Sequence, residues 1–325
     1  MPFDSVKLPR NRLGLAEWTV SENNPLTARV FVNQMWQEIF GRGIVKTAGD
    51  FGAQGEMPTN AALLDWMAVD FMQHGWDIKR LMKQIVTSAT YRQSSTVNKD
   101  SYKKDPENIY LSRAPRLRVK AETVKDIVLA SSGLLVKTIG GPSVKPYQPK
   151  GLWESATSGR GVLATYKQDT GESLYRRGIY TFIKLTVPPP NMAIFDASNR
   201  DLCEVNRSVT STPLQALMMM NDPTVLEASR VLSQKLLEEK SSVDAKITQA
   251  FHRIICRMPD KKEMSLLKNY YKEQLAAFQN KKLNAAATID VGEYKMDNTL
   301  DKNNTAALMK VISAIYNMEE AITKS

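Results

Sequence analysis

Apolar residues recur at helical spacing over most of the chain. A short helix is predicted around Leu15 to Val20. The segment 25–40 follows, with Asn24 as an N-cap, Pro25 at the first helical position and Gly41 as a left-handed stop. Its apolar residues, among them Leu26, Phe31, Met35 and Ile39, cover more than one face. The helix is therefore central, and Asn33 and Gln34 need partners if buried. Thr59 is the expected cap of a helix with Leu63, Trp66, Met67 and Phe71 on one face. Behind Asp77, the positions Ile78, Leu81, Met82, Ile85 and Val86 give the cleanest amphipathic pattern in the chain.

Further helices are expected around Val124 to Leu135, from Pro213 to Asn221, and from Pro223 to about Glu239. Another starts at the Asp260/Glu263 capping-box pair and runs through Gln279. The last, about 305–322, has Leu308, Ile312 and Ile315 on one face. Residues 178–187, GIYTFIKLTV, are β-branched and aromatic and predict a buried strand ended by Pro188 to Pro190. The predicted fold is mainly α: a multi-helix globular domain with a few short strands around 178–187. An arm of residues 1–22 precedes a single helical domain, 23–325. That domain comprises helices over 23–95, a region 96–240 with an irregular excursion at 138–175, and C-terminal helices over 241–325.

Charge narrows the partners. The 325 residues carry a formal net charge of +10, which can attract nucleic acid, anionic lipid or acidic polysaccharide. The densest basic cluster, Arg113, Arg116, Arg118 and Lys120, lacks the aromatic interleaving of a single-strand binder, so nucleic acid ranks last. No apolar run is long enough for a membrane span, and the opening stretch has no apolar core of a signal peptide. The chain is expected to be soluble and a piece of something longer. Two cysteines and two histidines make no disulfide framework, no zinc site by cysteines alone and no CxxCH haem attachment, so no cofactor is expected in this segment.

Several long motifs then belong together: NPLTARVFVNQMW, GRGIVKTAGDFGAQGEMPTNAALLDWMA, LMKQIVTSATYRQSS, DPEN, GGPSVKPYQPKGLW and the segment from YRRGIYTFIKL through MMMNDP. In these the chain resembles the domain of unknown function 1553 family, from about Arg12 to near the C-terminus. The resemblance implies the C-terminal part of a large exported protein, periplasmic, secreted or in the cell envelope. Its parent often carries a planctomycete-type, haem-bearing cytochrome c domain, and its genes often lie near polysaccharide-processing genes. The partners so implied are the other domains of the parent and an anionic polysaccharide. No reaction follows from the resemblance.

Candidate chemistry concentrates between Asp196 and Asp222. Arg200 and Arg207 are suited to clamp a carboxylate or sulfate, and Asp196 with Glu204 to act as an acid/base pair. Asn199, Asp201, Gln215, Asn221 and Asp222 add polar groups; the competing reading is a network that satisfies backbone groups. Cys203 is a nucleophile only with a stabilised thiolate, and otherwise a buried core thiol. Arg176 and Arg177 either bind an anion or pair with acids across the fold. The glycine-rich loop with Lys46, Thr47, Asp50 and Gln54 lacks phosphate-loop spacing and either frames a pocket or makes a turn. Trp36 and Trp66 are expected in the core, and Trp153 as an exposed sugar platform. Two functions stand: a binding or scaffold module, or a hydrolase or lyase acting on an anionic polysaccharide.

Overall fold

A computed structural model describes residues 8–157, 160, 161, 163–198, 200 and 203–324. The first seven residues of the expected arm, and Asn199 and Asp201, lie outside the described residues. The fold is mainly helical. A single two-stranded sheet pairs Leu117–Arg118 with Thr323–Lys324 among the described residues. Contacts cluster into two compact units, one up to Leu117 and one from Arg118 to Lys324.

The first unit is built on Arg12–Thr19, Thr27–Phe40, Ala61–Gln73 and Ile78–Thr87. The helix begins at Thr27 with Leu26 at the cap position, two residues later than expected, although the Asn24 side chain still accepts the amides of Leu26 (2.9 Å) and Thr27 (3.2 Å). Gly41, at φ +79°, ends the second helix as expected. Asn33 is fully buried and finds its partners in the glycine loop. It donates to the Val45 carbonyl at 3.0 Å and accepts the Val45 amide at 2.8 Å. Gly43 lies so close that a Cβ would fall 2.7 Å from the Asn33 amide nitrogen. Thr59 does not cap the next helix. It reaches back to the Ile44 carbonyl, and Asn60 caps instead, accepting the Leu63 amide at 3.0 Å. That helix buries Leu64, Met67, Ala68 and Phe71, which leaves Trp66 on the solvent side at 55% exposure rather than in the core.

The second unit surrounds Lys302–Tyr316. Between Thr305 and Tyr316 every residue of this helix except Lys310 and Ala314 is buried, Ile312 and Ile315 completely. A helix apolar all round is a buried one. Against it pack Pro223–Glu238, Val243–Ile255, Lys261–Gln279 and Ala285–Ile289. Val243–Ile255 carries no earlier motif and emerges only here, capped by Ser242. The capping box of Asp260 and Glu263 forms as expected.

The strand expected over 178–187 does not form. A 3-10 turn occupies Gly178–Tyr180, and the rest pairs only in isolated bridges, Val144 with Thr181 and Lys184 with Val187. Gly178 is pinned against the Ala121–Ser132 helix, where a Cβ would lie 2.5 Å from the Glu122 carbonyl oxygen. The turn at that contact breaks the ladder before it can extend.

Two substitutions test this architecture. Arg257 holds Glu263 by two hydrogen bonds, 2.8 and 2.6 Å, and thereby lowers its carboxyl from about 4.5 to about 2. The stabilisation is present above the unfolded value and fades as pH falls through the folded one. Glu263→Gln, which keeps the capping box, should cost about 1 kcal/mol at pH 7, since the pair is partly exposed. Denaturant titrations should show the difference shrinking between pH 5 and pH 2. Gly292 sits at φ +77°, and a Cβ there would meet the buried Glu227 carboxyl carbon at 2.1 Å. Gly292→Ala should lower stability by roughly 2–4 kcal/mol, read as a fall in melting temperature.

Candidate functional site

In the first unit, a groove of about 760 Å³ has the size of a small-ligand site. Three stretches of the long motifs build it. The end of the Thr27–Phe40 helix supplies Trp36 and Phe40, with ring centroids 4.4 Å apart. The loop Gly41 to Ile44, held by Asn33, supplies Arg42. The segment 107–117 closes the far wall with Tyr110, Arg113 and Arg116.

That wall is fixed by the DPEN motif. Asp105 is buried, and its carboxylate accepts the amides of Ile109 (2.7 Å) and Tyr110 (3.0 Å). Asn108, at φ +54°, donates to the Arg113 carbonyl at 2.9 Å. Arg113 in return donates to the carbonyls of Asp105 (3.0 Å) and Pro106 (2.9 Å), and lies over the Tyr102 ring. The loop therefore presents Tyr110, 77% exposed, from a rigid base. Three arginines line the groove against one carboxylate, Glu107, which pairs with Arg42 at 3.4 Å. The buried Arg42 Nε has no hydrogen-bond partner. The lining is basic and aromatic, suited to a planar or ring-shaped anion.

The region from Asp196 to Asp222, in the second unit, is arranged differently. Asp196, at φ +57°, accepts both the amide (2.8 Å) and the hydroxyl (2.9 Å) of Thr210. Gln215 is buried and donates to the carbonyls of Ile194 (3.0 Å) and Thr210 (3.2 Å). Asp222 caps Pro223–Glu238 through the Thr224 amide and accepts Asn191 at 3.1 Å. Asn221 bonds its own helix at the Leu217 carbonyl. Arg207 pairs with Glu122 and Arg177 with Asp126, both acids on the Ala121–Ser132 helix. Arg176 is buried among the carbonyls of Thr138, Gly140 and Pro142, with its guanidinium 3.8 Å from the Tyr180 ring centre. Arg200 and Glu204 are exposed. Apart from Arg200 and Glu204, these side chains tie a loop to its helices, and among the described residues they do not gather in one pocket.

Two expectations are corrected. Trp153 is 1% exposed, packed against Tyr166 and Phe182 with Lys184 over its ring at 4.5 Å, so it is no platform. Cys203 is exposed and free rather than a core thiol, and Cys256 is free as well. The groove was the site hardest to see. Its one advance sign was the glycine loop that could frame a pocket.

Fold and groove define a mainly helical protein of two compact units, one carrying a basic, aromatic-lined groove. The chain belongs to the PSD1 family, described as protein of unknown function (DUF1553), which matches residues 11–271. No curated protein and no solved structure matches it.

If Asp105 fixes the groove wall, Asp105→Ala should cost about 2 kcal/mol in the first unit, because two buried amides lose their acceptor. Limited proteolysis should then cut within 105–113 faster than in the unaltered protein.

Proposed function

We propose that this domain is a binding module of a larger exported protein, and that it holds an acidic saccharide in the groove of its first unit. The observation that carries the reading is the groove's lining: Arg42, Arg113 and Arg116 beside Trp36 and Tyr110, with Glu107 as its one acid. Arginine forks match sulfate and carboxylate oxygens in pairs, and aromatic faces accept the apolar face of a sugar ring. The overall charge of +10 adds long-range attraction for a polyanion. The association of such domains with polysaccharide processing and with cytochrome c domains agrees with a docking role. No haem or other cofactor is part of this reading. The hydrolase or lyase alternative relies on Asp196 and Glu204; Asp196 is bonded to Thr210, so the geometry adds nothing to it.

A calorimetric titration with a sulfated oligosaccharide and its desulfated counterpart tests the proposal. The sulfated form should bind and weaken as salt rises; the neutral form should bind at least about tenfold more weakly. Arg116→Gln and Tyr110→Ala should each reduce affinity by about tenfold, with thermal stability unchanged. Equal binding of the two sugars, or no effect of either substitution, would remove the groove as the site.

A further inference from the structure

The second unit holds a lysine that none of the preceding contacts explains. Lys125 lies on the Ala121–Ser132 helix between Glu122 and Asp126, whose carboxylates pair with Arg207 and Arg177. Its side-chain nitrogen is sealed from solvent and has no hydrogen-bond partner. It lines a small pocket of about 30 Å³ together with Thr181, Asn191, Asp222 and Thr224, and otherwise with apolar side chains such as Val124 and Phe195. The Thr181 hydroxyl is also buried there without a partner. The Asp222 carboxylate is bonded to Asn191 and to the Thr224 amide.

A buried ammonium with no acceptor is costly, whereas a neutral amine is much less so. Burial pulls the Lys125 amine down to about 8, with Asp222 and then Asp126 opposing the shift. At pH 7 about one molecule in ten then carries the free amine, against about one in three thousand for an ordinary lysine. An uncharged lysine in an apolar pocket is a nucleophile towards carbonyl carbon.

We propose that Lys125 is a reactive amine and that its pocket admits a short aldehyde, which condenses with it as an imine. The pocket holds on the order of two or three heavy atoms, the size of acetaldehyde. The nitrogen lone pair forms the C–N bond while the carbonyl π pair moves to oxygen, which takes the proton. The Thr181 hydroxyl, in the lining of the same pocket and without a partner, supplies a hydrogen bond for that oxygen. The carbinolamine then loses water and leaves a C=N bond. Carbon dioxide would also fit, but its carbamate would set a second anion beside Asp222. The protonated imine keeps the positive charge there instead. This site is independent of the saccharide groove.

The test is reductive trapping on the full chain: acetaldehyde with cyanoborohydride at pH 7, followed by peptide mapping. Ethylation of Lys125 should run at least about tenfold faster than at surface lysines, with its rate levelling off near pH 8. Benzaldehyde, too large for the pocket, should show no preference for Lys125. Thr181→Val should slow the trapping without changing the circular dichroism, and Lys125→Met should abolish the fast phase. Labelling spread over surface lysines, with Lys125 no faster than they are, would overturn the proposal. The peptide map of the unaltered protein is decisive by itself, so the test stands even if the Lys125→Met chain fails to fold.

Discussion

The second unit depends on one buried ion pair. Glu227 and Arg230, one turn apart on Pro223–Glu238, are 0% and 1% exposed. Neither can be left alone there, because an unpaired buried charge costs several kcal/mol. Their side chains are 3.8 Å apart, so most of the compensation comes from elsewhere. Glu227 accepts the hydroxyls of Tyr147 (3.0 Å) and Tyr175 (2.9 Å) and the Tyr294 amide (2.6 Å). Arg230 donates to the carbonyls of Val291 (3.2 Å) and Tyr294 (2.7 Å). The irregular excursion and the polar stretch near 291–294 are thus ordered by the need to satisfy two charges, although they have little regular structure of their own. Burial and the Glu227 carboxylate also push the Tyr147 and Tyr175 hydroxyls far above their ordinary range, so they remain donors at any working pH.

The same logic explains what was legible in advance. Caps and stops are local chemistry, so Gly41, Asp77 and the Asp260/Glu263 pair all act where the sequence places them. The last helix was legible as a helix but not as the centre of its unit. Leu308, Ile312 and Ile315 mark one face, while its other buried positions include Ala306, Ala307, Thr305 and Ser313, which look solvent-compatible until helices crowd them. Trp153 and Trp66 exchanged their expected places because tryptophan in a loop or on a helix reads the same by composition. Which one is covered depends on Tyr166, Phe182 and Lys184 arriving from other parts of the chain. The segment 178–187 has the residues of a strand, yet Gly178 needs a close approach to a helix that spacing alone cannot reveal.

The charged motifs divide into two kinds. Those near the triple proline are architectural: Arg177, Arg207, Asp196 and Gln215 each hold backbone or a partner on a neighbouring element. Those of the first unit, Arg42 and the DPEN loop, shape an open basic cleft. A dense run of acids and arginines was therefore a weaker guide to an open groove than a short turn motif beside an aromatic helix. Packing decides between these roles, because an arginine in a closed network and one that lines a groove look alike in sequence.

The position of the central helix has a consequence for how the protein comes into being. The first unit closes its core among residues before 118, so it can acquire structure as soon as that stretch has left the ribosome. The second unit begins at once afterwards, but the helix on which Pro223–Glu238, Val243–Ile255, Lys261–Gln279 and Ala285–Ile289 pack lies at Lys302–Tyr316. Until synthesis passes that point, Pro223–Glu238, Val243–Ile255 and Lys261–Gln279 can pack on one another and on Ala121–Ser132 but lack the helix that buries most of their apolar faces. Nascent chains would hold part of those surfaces open until Tyr316 has been made, the interval in which a holding chaperone has most to protect.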